Sequence, residues 1–285
     1  EEFTLSNNIT SAYDGFGVKD AVIIRNRNKP HILLVSSTYF DTSEKCLNLR
    51  VFTFDLNSLN NEWKVVFQSS PCIYDFDGMP SWGSGLAVKN PSSVYLSLGD
   101  VLHDGVNYVD LISPEDSDYG KVHLIDLEEG ISQKYSGGHR NPQGIIVAKS
   151  GEVLSVEHGP EGGDELNLIL KDKHYGWPLR TFGTDYGAYV WPLNDKNGSH
   201  EGFEQPLMTW TPAIGPSDLT EISGSESLWE NDILISGLRG MSIFRVKRYN
   251  QRINFIEKIE LDRRIRKIES IGNRVFLKDQ ASAEI

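Results

Sequence analysis

Basic charge is scarce in this 285-residue chain: 28 lysines and arginines stand against 40 aspartates and glutamates, a formal net charge of −12. Nucleic acid and anionic membrane surfaces both demand positive charge facing phosphate, so the overall balance argues against either partner while leaving room for a local basic pocket. Long apolar runs are missing too, and none reaches the roughly 18 residues of a membrane-crossing helix. The opening Glu1-Glu2-Phe3 carries neither a basic n-region nor an apolar h-region, so any signal peptide is expected to have been removed or never present. No stretch of ten or more residues shows a convincing amphipathic 3.6-residue period. Disorder is excluded by the ordinary balance of 24% charged and 39% hydrophobic residues.

Cysteine is nearly absent, with only Cys46 and Cys72. Between them lie two strand-like runs, 47–56 and 63–69, joined by a polar turn. A hairpin centred near Leu59 would set the two cysteines at equal chain distance from the turn, opposite each other and within disulfide reach. Two unpaired buried thiols are the other reading. A bridge would point to an oxidising compartment such as the periplasm.

What is present is period two. Val94-Tyr95-Leu96-Ser97-Leu98, Glu152-Val153-Leu154-Ser155-Val156 and Ile243-Phe244-Arg245-Val246 alternate, and such runs recur between Gly, Pro, Asn and Asp throughout. This is the pattern of many short antiparallel strands. Couples such as 144–148 with 152–156, or 232–236 with 241–247, read as tight hairpins and suggest propeller blades, although a sandwich reads much the same at this level. The expectation is a single all-β, β-propeller domain over 1–285. Two longer irregular stretches, 100–119 and 177–205, look like elaborated loops, where sites usually lie.

Three segments carry chemistry. Gly138-His139-Arg140-Asn141-Pro142-Gln143-Gly144 places a guanidinium and an amide at the end of a hairpin. Glu157-His158-Gly159-Pro160-Glu161-Gly162-Gly163-Asp164-Glu165-Leu166-Asn167 is a Gly- and carboxylate-rich turn of the kind whose oxygens suit Ca²⁺. Tyr175-Gly176-Trp177-Pro178 follows. On chemistry alone, a solvated turn is the favoured account of the second segment.

In this order and spacing the three segments resemble the signature of the soluble PQQ-dependent glucose and aldose sugar dehydrogenases, with weaker similarity from about Gly15 to Asp279. The resemblance implies a six-bladed β-propeller that binds PQQ and Ca²⁺ on its top face and oxidises the anomeric hydroxyl of sugars. Arg140 and Asn141 match the family's cofactor-contacting pair. Gly159 and Pro160 match residues whose backbone carbonyls hold the Ca²⁺. Leu238-Arg239-Gly240 resembles the motif of a cationic cofactor contact, here Arg239. Arg264 and Arg266 match the late Arg-x-Arg pair that clamps PQQ carboxylates, and three carboxylates make several converging guanidiniums electrostatically sensible.

The departures are as informative. Leu98-Gly99-Asp100 is present, but the upstream family motif, whose His is the general base, reads Ser81-Trp82-Gly83-Ser84-Gly85-Leu86. Ser81 stands at the base position and Gly85 at that of an Arg. A serine hydroxyl cannot serve as a base near neutral pH without its own activator, so turnover is expected to be weak. A family Gln or Glu near Asp14–Gly17 is also missing. Residue 1 falls near the end of the first blade, so about five blades are expected, either as a fragment of a longer product or as a smaller closed ring. The reading is a periplasmic or secreted quinoprotein-like oxidoreductase acting on an aldose sugar, with PQQ, Ca²⁺ and an external electron acceptor. The alternative is a catalytically inactive propeller that binds a sugar, a quinone-like ligand or a protein.

Overall fold

The structure, a computed structural model, describes residues 17–25, 31–57, 62–74, 81–196, 198–224 and 226–281. Every regular element among them is a strand. β1 (Val18–Ile24), β2 (Ile32–Asp41), β3 (Cys46–Asp55) and β4 (Lys64–Gln68) form one antiparallel sheet in sequence order. The second holds β5 (Gly83–Asn90), β6 (Ser93–Leu98), β7 (Lys121–Asp126) and β8 (Ser132–Gly137), with the short β12 (Lys173–His174) added parallel to β8. The third runs β9 (Asn141–Val147), β10 (Val153–His158), β11 (Asp164–Ile169) and β13 (Met208–Trp210). The fourth contains β14 (Pro216–Glu221), β15 (Ile233–Gly237), β16 (Ser242–Tyr249) and β17 (Arg252–Glu260), and β18 (Ile265–Ile271) pairs with β19 (Arg274–Asp279) in a final hairpin.

The apolar residues do not meet in one slab between two sheets, as a sandwich requires. They form a succession of cores, each between neighbouring sheets. Leu34, Leu49, Leu96 and Leu98 join the first two sheets, Val122, Ile145 and Val153 the second and third, Leu154, Leu166, Ile235 and Val246 the third and fourth, and Leu234, Ile243 and Ile268 the fourth sheet and the hairpin. Strands covered on both faces lose the alternation that exposure imposes: all six residues of β6 are buried, whereas the outer strand β17 alternates. The first strands of the sheets, β1, β5, β9, β14 and β18, lie side by side in that order. The Lys267 ammonium on β18 reaches Asp20 on β1 at 2.8 Å and Asp218 on β14 at 3.5 Å, so these inner strands surround a common axis. The architecture is a β-propeller, with four full sheets and the opening hairpin of a fifth among the described residues.

Cys46 and Cys72 are bridged, with Cα atoms 5.8 Å apart. The predicted hairpin supports them: β3 pairs with β4 from Arg50↔Gln68 to Thr53↔Lys64, and Leu47 pairs with Ile73 beyond it. The tip around Leu59 lies outside the described residues, as do Asp14 to Phe16 at the site of the missing Gln or Glu.

Candidate active site at the loop end of the inner strands

Antiparallel connectivity sends every second loop to the same end of the axis. β9 and β18 begin there, while β6, β10 and β15 end there, so Asp100, Arg140, Asn141, Gly159, Pro160, Arg239, Arg264 and Arg266 all come to one face. Hydrogen bonds lock the convergence. The Arg264 guanidinium donates to the Leu238 carbonyl at 3.3 Å, which sets it against the Arg239 turn. The two long loops roof the same end through a small core of their own, Ile112, Trp177 and Trp191.

Arg140 is the hub. Its backbone N–H donates to Glu157 Oε2 at 3.0 Å, and its carbonyl accepts the Asp100 N–H at 2.8 Å. Its Nη1 donates to the Gly159 carbonyl at 2.7 Å, and its guanidinium lies 5.4 Å from the Trp177 ring centre. Its Nε is buried with no partner. A buried donor without an acceptor costs about 1–3 kcal/mol; the Nε of Arg180 and of Arg248 is left in the same state, and Arg140 is the one of the three that the resemblance assigns to an anionic cofactor.

Arg266 makes no hydrogen bond or ion pair among the described residues, and its pKa is held below the ordinary arginine value by burial and by Arg264. Lys19, on β1, is pushed down to about 8 by burial and by Arg266. Like charges therefore press on one another here, in a protein of net charge −12. Asn141 is less free than the resemblance implies: its side chain accepts from Gln143 Nε2 at 2.7 Å and meets His158 Nδ1 at 3.4 Å.

The Ser81 hydroxyl donates a short hydrogen bond to Asp100 Oδ1. The same oxygen accepts the Leu102 N–H at 3.0 Å, and Asp100 Oδ2 accepts the Trp177 indole N–H at 2.9 Å. Burial drives the Asp100 pKa up to about 6 against the pull of Arg140 and of the Ser81 hydrogen bond. Gly99 permits this approach, since a Cβ there would stand 1.8 Å from the Ser81 carbonyl oxygen. Position 85 is crowded: a Cβ there would meet the Gln143 carbonyl at 3.0 Å and Ile145 Cγ2 at 3.2 Å, close enough that these neighbours would have to shift.

Three histidines of the nearby loops are engaged in contacts of their own. His103 is buried, bonded through Nδ1 to the Val101 carbonyl and stacked on Tyr108. His139 is held between Ser136 and Glu157. His158 Nε2 donates to the Pro216 carbonyl at 2.8 Å. Sequence reasoning misses three participants. Lys19 sits in an unremarkable strand and shows no motif. Asp100 and Trp177 belong to recognisable segments, but only the fold reveals that they touch.

Calcium fits these residues poorly. The Gly159 carbonyl is engaged by the Arg140 cation. Asp164 Oδ1 accepts the Gly159 N–H, and its Oδ2 accepts those of Ile214 and Gly215. Glu165 pairs with His200 at 3.0 Å. Among the described residues no group of three ligating side chains is placed to hold a metal, and Ca²⁺ wants six to eight oxygens. In the cofactor-free protein, exchanging millimolar Ca²⁺ for a chelator should therefore shift the melting temperature by less than about 1 °C. A rise of several degrees with Ca²⁺ would restore the Gly159-Pro160 turn as the metal's seat.

Comparison with known proteins bears on this site. Residues 6–285 match the family described as Glucose / Sorbosone dehydrogenase. The aldose sugar dehydrogenase YliI of Escherichia coli is 31% identical over 157 residues, 53% of this chain and 42% of that protein. The quinoprotein glucose dehydrogenase B of Acinetobacter calcoaceticus is 27% identical over 168 residues, 41% of this chain and 35% of that protein. The chain thus spans about two fifths of the length of these curated relatives in the matched regions. A crystal structure of a glucose dehydrogenase superposes with a TM-score of 0.82 at 25% identity, covering 93% of this chain and 80% of the other. The match over nearly the whole length, on a propeller whose loop end gathers the expected cations, places this chain in the glucose/sorbosone dehydrogenase family.

Proposed function

We propose that the protein is a PQQ-dependent oxidoreductase that oxidises the anomeric hydroxyl of an aldose sugar. The observation that carries the reading is the pair of guanidiniums at this end of the axis that want an anion: the partnerless Arg140 Nε and Arg266, which makes no hydrogen bond or ion pair among the described residues. An anion that entered would satisfy the orphaned donor and relieve the mutual repulsion, and a tricarboxylate has the charge to engage several cations at once. Arg140, Arg239, Arg264 and Arg266 would hold its carboxylates, and Asn141, next to Arg140 at the start of β9, would contact the cofactor beside it. Bound there, PQQ would supply the two-electron acceptor. Trp177 and the Ile112/Trp191 roof limit water around Asp100.

The substrate would be a small sugar, and electrons would leave to an external acceptor. The Cys46–Cys72 bridge supports an oxidising compartment, periplasmic or secreted. No helix among the described residues is long and apolar enough to cross a membrane. A binding propeller without turnover is the second reading. Its ground is the serine and the glycine at positions 81 and 85, where the resemblance implies a histidine and an arginine.

Titration calorimetry with PQQ, and with citrate as a control for simple anion binding, followed by dye-linked oxidation of aldoses, tests the proposal. Expected are saturable PQQ binding at least tenfold tighter than citrate and measurable dye reduction. Equal, weak binding of both anions would count against a cofactor site.

A further inference from the structure

A serine at the base position is inert for want of an activator, and the structure supplies one. The Ser81 hydroxyl proton points at Asp100 Oδ1. The carboxylate is held from two further directions, by the Leu102 N–H and the Trp177 indole N–H, and the Asp100 backbone is tied down by its N–H bonded to the Arg140 carbonyl. A group fixed this way keeps its orientation without help from solvent. Both residues are buried, Ser81 with 7% of its surface exposed and Asp100 with none, so of the two the serine lies nearer to where a ligand would stand.

Resting on the dehydrogenase reading above, we propose that Ser81 and Asp100 act together as the proton acceptor of this site, with the serine oxygen receiving the substrate hydroxyl proton as its own proton passes to Asp100. The balance closes. The substrate C–H bond breaks and its electron pair leaves as hydride to the quinone cofactor. The O–H bond breaks, its proton goes to Ser81 Oγ, and the serine O–H proton goes to Asp100 Oδ1. The carbon–oxygen double bond of the product forms, the quinone is reduced by two electrons, and Asp100 ends neutral. Serine is unchanged overall, so its high intrinsic pKa is no obstacle. The acceptor that must be charged beforehand is Asp100.

The surroundings suit that task. The groups facing Asp100 are the Ser81 hydroxyl, the Leu102 amide, the Trp177 indole, the Arg140 guanidinium and the Asp104 carboxylate, and the last raises the pKa slightly against the others. With burial as the largest influence, the balance sets the pKa at about 6, ionised at neutral pH yet basic enough to take a proton. The family's imidazole base is thereby replaced by a carboxylate reached through a hydroxyl, and the missing histidine need not mean a dead site.

Two measurements test this. In the cofactor-free protein, carboxyl-carbon NMR, with the signal assigned by its loss in Asp100→Asn, should show Asp100 titrating near pH 6. Ser81→Ala removes a hydrogen bond to the charged form and should raise that pKa. With PQQ bound, kcat should rise with pH through the same midpoint and move with it in Ser81→Ala. Asp100→Asn should lose about 10²–10⁴-fold in kcat, Ser81→Ala should lose at least about tenfold, and Ser81→Thr, which keeps a hydroxyl, should recover most of the Ser81→Ala loss. PQQ affinity should stay within about threefold in all three. If Asp100→Asn does not fold, the coupled shift of NMR pKa and pH profile in Ser81→Ala decides. Turnover that survives Asp100→Asn or a pH profile that ignores Ser81→Ala would overturn this proposal alone, whereas PQQ binding with no turnover in the unmodified protein would overturn the dehydrogenase reading too and favour the binding propeller. Failure of the unmodified protein to bind PQQ would overturn the dehydrogenase reading with it.

Discussion

Replacing Arg266 with alanine should weaken PQQ binding by about 10²-fold while the free protein melts no lower than the unmodified one. The two halves of this expectation come from the same fact. Arg266 is half-buried, makes no hydrogen bond or ion pair among the described residues, and has its charge opposed by burial and by Arg264. Its removal takes no stabilising contact from the free protein and relieves Lys19, whose pKa of about 8 reflects burial first and Arg266 second. Against a bound carboxylate the same guanidinium becomes one partner of a desolvated ion pair, and truncating such a partner costs about 2–5 kcal/mol. About 2.7 kcal/mol corresponds to the predicted 10². Calorimetry and thermal melting of the variant read both halves. An unchanged PQQ affinity would remove Arg266 from the site, and a marked fall in melting temperature would show that it serves the fold. Residues that serve a ligand at the expense of the empty protein are the usual source of such a trade-off.

Eliminating the disulfide with the double substitution Cys46→Ser, Cys72→Ser should cost about 3 kcal/mol, since the closed loop spans a separation of 26 residues. For a chain of this size that is a fall of roughly 5–10 °C in melting temperature. The cost belongs to the unfolded chain, which regains the freedom the bridge removes, while β3 and β4 keep their pairing in the native state. PQQ binding at 20 °C should survive, because neither cysteine approaches the cationic loop end. The double variant, compared with the oxidised parent by calorimetric melting, decides the point; a difference below 1 °C would mean that the hairpin already restricts the unfolded chain.

Much of this is legible without any fold. Period-two alternation and turn residues announce the strands, and the equal distances of Cys46 and Cys72 from a polar turn anticipate their meeting. The His139-Arg140-Asn141 and Gly159-Pro160 segments can be recognised because local backbone demands and cofactor contacts leave short, dense signatures. The buried β6 is harder to read, since a strand covered on both faces carries little polar punctuation. Lys19 is invisible, being one lysine in an ordinary strand.

The amino-acid sequence by itself determined the all-β class, the hairpins and the family, and left the disulfide as one of two readings, because each depends on residues near one another in the chain or on a compact motif. The tertiary structure alone decided which side chains share a site. Ser81 and Asp100 lie 19 residues apart, and Asp100 and Trp177 lie 77 apart. No periodicity encodes a contact at that range. It arises from the order in which successive sheets stack about the axis and return their loops to one end. The same stacking crowds position 85, leaves Arg140 Nε without a partner and lifts the Asp100 pKa, for burial is a property of the assembled sheets and not of any segment.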